Sequence, residues 1–413
     1  MTASNLPAPD DEKGWGEIRK TVALPTDHVM LNAGSLSPTP WPVLAAVTEL
    51  RKQQAAAPSD FIMRSGPVRI EATRDRLARY FNVNPLDLVL LPNVTFAINI
   101  VAQSLRESTL LPPGSEILTT EHEYGAMIFC WQRLAKQMGL TVRAIPLPYE
   151  QNDEDAIVDA IEKAIGPKTK LFFFSHVTTQ LGLVMPAARI CKMARRRGIL
   201  TAIDGAHSPG MLPLDLSEVE TDFYGGNGHK WMMAPAGTGF LHVRHDLRPI
   251  VQPLVTSWGW GYEPAKLDEK THAGATRWQW ALEFQGVFDR CAQIAMADAV
   301  DYLEGIGPKP IAARVRYLSD YARKRFAETA GLVAATPTDP RLSGSLTAFD
   351  FPVRDTTAAH QALFRDHHIE AVFPRVSEKT FLRISTGFFN TPGEIDQLAQ
   401  ALPALRKSLW WQK

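Results

Sequence analysis

The segment TDFYGGNGHKWMMAPAGTGF, residues 221–240, sets Lys230 beside Trp231, Met232, Met233, Ala234 and Pro235. A lysine in such surroundings tends to lose its charge by desolvation, and a neutral amine can condense with an aldehyde to an imine. Gly225, Gly226 and Gly228, just before it, let the backbone approach a ligand closely. The segment LTAIDGAHSPG, residues 200–210, is an apolar strand that ends in Asp204. Ligands of open α/β sheets bind at the carboxyl ends of strands. An acid there can pair with a protonated ring nitrogen and keep the ring an electron sink. His207, three residues on, can hydrogen-bond the same ligand. The segment VLLPNVTFAINIVAQSL, residues 89–105, reads as strand, turn and helix. Free N–H groups at a helix start bind phosphate, and Val94 and Thr95 would offer amides and one hydroxyl there. Each segment also has a plainer reading: Lys230 as a lysine whose head stays in water, Asp204 as a turn or cap residue, and Asn93 or Thr95 as a simple N-cap.

These residues need a scaffold, and the pattern around them supplies one. From residue 86 to 245 short apolar runs alternate with amphipathic stretches. The runs are Leu86–Leu91, Glu116–Thr119, Thr141–Ile145, Leu171–Phe174, Leu200–Ile203 and Gly239–Val243, with helix-like segments such as Tyr124–Met138, Asp153–Ile165 and Ala187–Arg197 between them. This alternation predicts an α/β fold with a mostly parallel sheet sandwiched by helices. Gly198, after Arg195, Arg196 and Arg197, reads as a glycine stop behind a basic last turn. Beyond the loop-rich stretch 253–280 the pattern changes to two long helices, Phe284–Gly305 and Pro310–Ala330. A strand (Leu346–Phe351), a helix (Thr357–His367), two short strands (Glu370–Phe373 and Phe381–Ser385) and a last helix from about Pro392 follow. The chain of 413 residues exceeds what one core holds. Two domains are expected: a large one over residues 20–285 and a smaller α+β one over residues 286–413, with residues 1–19 packing on the small domain or on a partner subunit.

Lys plus Arg and Asp plus Glu both number 44, so no net charge draws the chain to nucleic acid or an anionic membrane. Three scattered cysteines, Cys130, Cys191 and Cys291, without a CxxC, argue against a disulfide framework or a zinc site and for a reducing cytoplasm. No metal site is expected; His367-His368 reads as a solvated helix end. The polar N-terminus lacks the apolar core of a signal peptide, and no apolar run reaches membrane-spanning length.

Three such segments in this order resemble the class V aminotransferase superfamily of fold-type I pyridoxal-phosphate (PLP) enzymes, and most closely its isopenicillin N epimerase-like members. The resemblance runs from LNAGSLSPTP at residue 31 to FLRISTGFFNTPGEID ending at residue 396. It implies a soluble homodimer with the active site at the subunit interface and a small amino-acid substrate. By this resemblance Lys230 carries the cofactor's Schiff base, Asp204 pairs with the pyridine nitrogen and His207 contacts the ring oxygen. Val94 and Thr95 form the phosphate cup, with Asn227 and His229 as further phosphate contacts; relatives often have Ser where Asn227 stands. Aligning EHEYGA places Tyr124 on the ring face, with His122 as the alternative. Thr179 stands where many relatives carry Asn near the ring oxygen. GATRW makes Thr276, with Arg277 beside it, the candidate that reaches the neighbouring subunit's phosphate. Arg383 matches the arginine that binds the substrate α-carboxylate, a task suited to its planar two-point geometry. Asn32 and Gly34 match the loop that lines the substrate site.

The resemblance leaves the reaction open. Epimerisation or racemisation is the first expectation, because the nearest pattern belongs to that subgroup; it requires a second base opposite Lys230, which the sequence does not identify. A C–S or C–C lyase and an aminotransferase are the alternatives, and a non-catalytic PLP-binding scaffold a remote one. Desulfuration through a mobile cysteine is disfavoured, because EAVFPRVSEKTFLRIS, the stretch before and through Arg383, has none. Trp258, Trp260, Trp278 and Trp280 read equally as a pocket for a bulky side chain or as packing.

Overall fold

The computed structural model describes residues 6–407. Residues 1–5 of the expected N-terminal segment and 408–413 of the expected small domain lie outside the described residues. Among the described residues the twelve strands are β1 (Val29–Met30), β2 (Leu88–Leu91), β3 (Glu116–Thr120), β4 (Thr141–Ile145), β5 (Thr169–Ser175), β6 (Leu200–Gly205), β7 (Phe223–Asn227), β8 (Gly239–Val243), β9 (Leu346–Asp350), β10 (Ile369–Glu370), β11 (Arg375–Val376) and β12 (Lys379–Ser385). Seven of them form one sheet in the order β2-β8-β7-β6-β5-β3-β4. Its pairings are parallel except for β8, which runs antiparallel to both neighbours. Strands such as β2 (LVLL) and β7 (FYGGN) are buried throughout, as expected of a sheet covered on both faces. The mostly parallel α/β architecture predicted from the alternating pattern is the one observed.

The placement of β8 organises the edge where the candidate residues gather. Gly239 pairs with Leu91 on one side and with Asn227 on the other, so β2 and β7 end at the same level. Their following segments, which carry Val94–Thr95 and Lys230, therefore leave the sheet on one edge. Asp204 pairs with Gly225 and with Ser175, so β5 and β6 end there too. Gly239 has to be glycine: a Cβ would lie 2.7 Å from the Asn93 Cα and from the Gly226 carbonyl.

A second sheet, β11-β12-β9, is antiparallel and belongs to the C-terminal part. It is the small α+β unit expected there, with helices Thr356–His367 and Pro392–Arg406. Apolar residues of these elements, with Leu318, Ala322 and Phe326 of the helix Pro308–Ala330 and with Val29 and Leu31, form a core of their own. The helix expected over Phe284–Gly305 starts later. Gly286 takes a φ of +101°, which breaks the chain from helical geometry, and the helices run Cys291–Ile294 and Met296–Ile306. The second of these packs on the helices Trp41–Ala56 and Gly66–Phe81, beside the large sheet. Near the N-terminus, Glu12 pairs with Arg314 and Arg19 with Glu394 at 2.8 Å, so this stretch lies on C-terminal helices.

Candidate functional site

A cleft of about 600 Å³ opens at the shared strand edge, and Lys230, Thr95, Tyr124, Thr179, Asn227, His229, Gly34 and Arg383 line it. Asp204, His207 and Asn32 are buried and reach these residues from behind. Lys230 Nζ is 3.3 Å from His207 Nε2. Burial lowers the lysine pKa to about 8; the Asp204 carboxylate acts against the shift and Arg383 with it. The neutral amine that imine chemistry needs is thus accessible near neutral pH. Burial raises the Asp204 pKa, opposed by the Ala206 amide and by Lys230. Its Oδ1 accepts the Ala206 N–H at 2.8 Å, and Oδ2 has no partner among the described residues.

Arg383 comes from the middle of β12. The residue is 5% exposed, and its guanidinium has no acidic partner among the described residues. It donates to the Thr179 carbonyl, to Thr179 Oγ1 at 3.1 Å and to Asn32 Oδ1 at 3.1 Å. Nε is buried without a partner. Burial lowers its pKa to about 10. The bond from Ser385 N–H to the Leu31 carbonyl, and from Ala33 N–H to the Ser385 carbonyl, holds the 31–34 loop alongside. A buried guanidinium without a counter-ion is costly unless an anion arrives, and a carboxylate fits its fork.

The start of the helix Val94–Glu107 departs from expectation. The Val94 amide, expected to meet phosphate, is bonded to Asn227 Oδ1 at 2.8 Å, and Val94 does not line the cleft. Its side chain instead faces Gly225, where a Cβ would come within 2.9 Å of it. Asn93 Oδ1 takes the Phe96 amide. Of this first turn, the Thr95 amide and hydroxyl are left without partners among the described residues. Asn227 keeps Nδ2 unpartnered on the cleft. His229 faces the Thr238 carbonyl through Nδ1 at 3.2 Å, so its Nε2 can donate to a phosphate only in the protonated ring; burial, with Lys230 beside it, lowers its pKa, and a dianion beside it acts against that shift.

Tyr124, 53% exposed, precedes the helix Gly125–Met138 and presents its ring at the cleft. His122 is buried instead, edge-on to Tyr149 with ring centroids 5.4 Å apart, and burial lowers its pKa to about 4. Thr276 is not brought to the cleft of its own chain. It is fully buried, and its hydroxyl closes a capping box with Gln279 at the start of the helix Arg277–Glu283. Arg277 pairs with Glu269 at 2.8 Å. None of the four tryptophans lines the cleft. Trp278 is in the core under Arg248, Trp280 stacks on Phe284 at 4.5 Å, and Trp258 and Trp260 are exposed. None of the three cysteines lines it either.

Sequence reasoning missed Leu36, Gln180 and Arg375 at the cleft and Glu123 beneath it. Arg375 was legible as a second basic residue in the stretch before FLRIS. Gln180, next to Thr179, carried no signal. The donors of Thr95, Asn227 and His229, the open oxygen of Asp204, the lysine and the flat face of Tyr124 fit the phosphate, ring nitrogen, aldehyde and ring of PLP respectively.

The aminotransferase class-V family model matches residues 29–398. The chain is 40% identical over 398 residues to the isopenicillin N epimerase of Amycolatopsis lactamdurans, covering 95% of this chain and 99% of that one. It is 42% identical over 396 residues to that of Streptomyces clavuligerus, covering 95% and 98%. A probable cysteine desulfurase of Staphylococcus epidermidis is 28% identical over 341 residues, covering 80% of each chain. The solved structure of a cysteine desulfurase from Escherichia coli superposes with a TM-score of 0.79 at 24% identity, covering 98% of this chain and 99% of that one, and shares the fold. The chain belongs to the aminotransferase class-V family, and it is an enzyme whose cofactor is pyridoxal 5′-phosphate.

Proposed function

We propose that the protein is an epimerase or racemase that inverts the α-carbon of an amino acid or amino-acid-derived substrate, in the manner of the isopenicillin N epimerases it is similar to. The observation that carries the reading is the cleft shared by the amine of Lys230 and the buried guanidinium of Arg383, which has no acidic partner among the described residues. PLP, when bound, supplies an electron-poor ring that draws charge away from the substrate's α-carbon. Arg383, steered by Thr179 and Asn32, grips the α-carboxylate and so fixes which bond of the α-carbon faces the lysine. Asp204 would pair with the ring nitrogen, and Tyr124 would cover one ring face. Thr95, Asn227 and His229 would hold the phosphate. Lys230 holds or moves the proton at the α-carbon, a general-base role that its lowered pKa suits. Among the described residues no acidic side chain lines the cleft, while Arg375 stands at it exposed, which favours anionic substrates.

The lyase alternative draws support from the desulfurase relatives. Against desulfuration by a mobile cysteine stands the segment ahead of Arg383: it is folded into the β11–β12 hairpin, and Cys130, Cys191 and Cys291 are all elsewhere. We further propose a cytoplasmic homodimer; the exposed Trp258, Trp260 and Val287 supply apolar surface for a subunit contact. No helix among the described residues is long and apolar enough to cross a membrane.

Incubating a panel of L-amino acids and short peptides with the holoenzyme in deuterium oxide tests the reading. Solvent deuterium at the α-carbon together with the opposite enantiomer is expected. Release of a keto acid, or of ammonia with a cleaved side chain, in place of inversion overturns it. Lys230→Ala should abolish turnover and the visible absorbance of the holoenzyme.

A further inference from the structure

We propose that Trp231 is a positioning residue that locks His207 in the tautomer carrying its hydrogen on Nε2, so that His207 serves Lys230 as a hydrogen-bond donor and is unable to act as a base. The proposal rests on the reading of Lys230 as the reactive amine, and not on the direction of the reaction.

Trp231 directly follows Lys230 and is buried. Its Nε1 lies 3.3 Å from His207 Nδ1. An indole nitrogen has only a hydrogen to give, so Nδ1 must offer its lone pair. A neutral imidazole with Nδ1 as acceptor carries its hydrogen on Nε2. Nε2 in turn faces two atoms, Lys230 Nζ at 3.3 Å and Thr179 Oγ1 at 3.2 Å. Thr179 Oγ1 can accept both this hydrogen and the one from Arg383, because a hydroxyl oxygen has two lone pairs. Nζ can accept it only through the lone pair of a neutral amine. Burial, with Lys230 and Arg383 adding positive charge nearby, holds the His207 pKa well below its usual value, which keeps the ring neutral.

The geometry therefore runs as a chain from the Trp231 indole through both nitrogens of His207 to the lysine. Without the indole, His207 could move its hydrogen to Nδ1 and present a lone pair to Nζ, which favours the ammonium. The other charged or titratable groups that influence Lys230 are Asp204 from β6, Arg383 from β12 and its neighbour His229. None of these changes when the indole is removed. With one nitrogen bonded to Trp231 and the other holding a hydrogen, His207 has no lone pair free to receive a substrate proton. A second base, if the reaction uses one, is another residue.

The test compares full-length wild-type, Trp231→Phe, His207→Phe and the double variant after removal of PLP. The rate at which acetic anhydride modifies Lys230 is followed against pH by mass spectrometry of the peptide that carries it. Trp231→Phe is expected to raise the midpoint by about one pH unit, which makes modification roughly tenfold slower near pH 7.5. In the His207→Phe background the same substitution should leave the midpoint in place, because Trp231 acts only through the imidazole. No shift in Trp231→Phe, or an equal shift in both backgrounds, overturns the proposal. Nitrogen-15 spectra of histidine-labelled wild-type protein test it without any variant: a His207 signal protonated on Nδ1 refutes the lock. Borohydride reduction of the holoenzyme, which fixes PLP to whichever lysine holds it, tests the reading of Lys230 separately.

Discussion

Thr179 Oγ1 sits between Arg383 and His207, 3.1 Å from the guanidinium and 3.2 Å from the imidazole. One hydroxyl thus connects the group suited to a substrate carboxylate with the group that touches the reactive lysine. The oxygen accepts from Arg383 and, in the His207 tautomer proposed above, from the imidazole as well.

Arg383→Gln should lose the charge-assisted, two-point grip on the carboxylate. A hydrogen bond to a charged group contributes roughly 1.5–3 kcal/mol, so kcat/KM should fall by about 10- to 150-fold. The loss should appear mostly in KM for any amino acid tested. Steady-state kinetics alongside PLP affinity check this; weakened PLP binding with an unchanged KM would place Arg383 on the cofactor instead.

Much of this arrangement could be read in the sequence, and the exceptions have physical reasons. The apolar runs that became β3, β5 and β6 are buried on both faces, so composition alone marks them. The direction of β8 was not legible, because Gly239–Val243 looks the same whether it runs parallel or antiparallel to its neighbours. The fate of the Val94 amide was also hidden. Nothing local to residue 94 announces that a side chain at residue 227 will take it. Tyr124 and His122 lie two residues apart on one turn, and only the fold decides which enters the cleft and which the core. Thr276 reads in the sequence as reaching the neighbouring subunit's phosphate, and nothing there shows that it is buried as the N-cap of a capping box with Gln279, three positions on.

Gly239→Ala should be costly out of proportion to one methyl group. Its Cβ would meet backbone on both sides, at Asn93 and Gly226, and backbone cannot rotate away as a side chain can. Overpacking of this kind costs roughly 1–3 kcal/mol. Asn93 opens the helix that offers the Thr95 amide, so PLP affinity should fall along with the melting temperature. Thermal unfolding and PLP titration check the pair of effects; a stability loss with unchanged affinity would mean that the strain is relieved away from the helix start.

Asn227→Ala removes the acceptor of the buried Val94 amide and an unpartnered donor on the cleft. An orphaned buried donor costs about 1–3 kcal/mol. Asn227→Ser, the residue that relatives often carry, should recover part of this through its hydroxyl. Urea unfolding of the three proteins at fixed PLP concentration, with PLP dissociation constants, checks the order wild-type, Ser, Ala.

Glu123 predicts a pH dependence whose sign can be worked out. Its carboxyl is buried, receives hydrogen bonds from Thr120 and Ser175, and lies near Asp204. Burial, with Asp204 adding to it and the two hydroxyls opposing, raises its pKa from 4.5 to about 7. The folded protein therefore holds this proton more tightly than the unfolded chain does. Its contribution to stability is fully present below pH 4.5 and is lost as pH rises through 7. Glu123→Gln, which keeps the shape and cannot ionise, should lack this loss. Relative to the wild-type protein the variant should gain stability between pH 5 and pH 8, by up to about 3 kcal/mol. Urea unfolding of both proteins at the two pH values measures the difference directly. A gap that stays constant or shrinks with pH would mean that Glu123 is ionised in the fold at pH 5, and that Thr120 and Ser175 stabilise its charge more than burial opposes it.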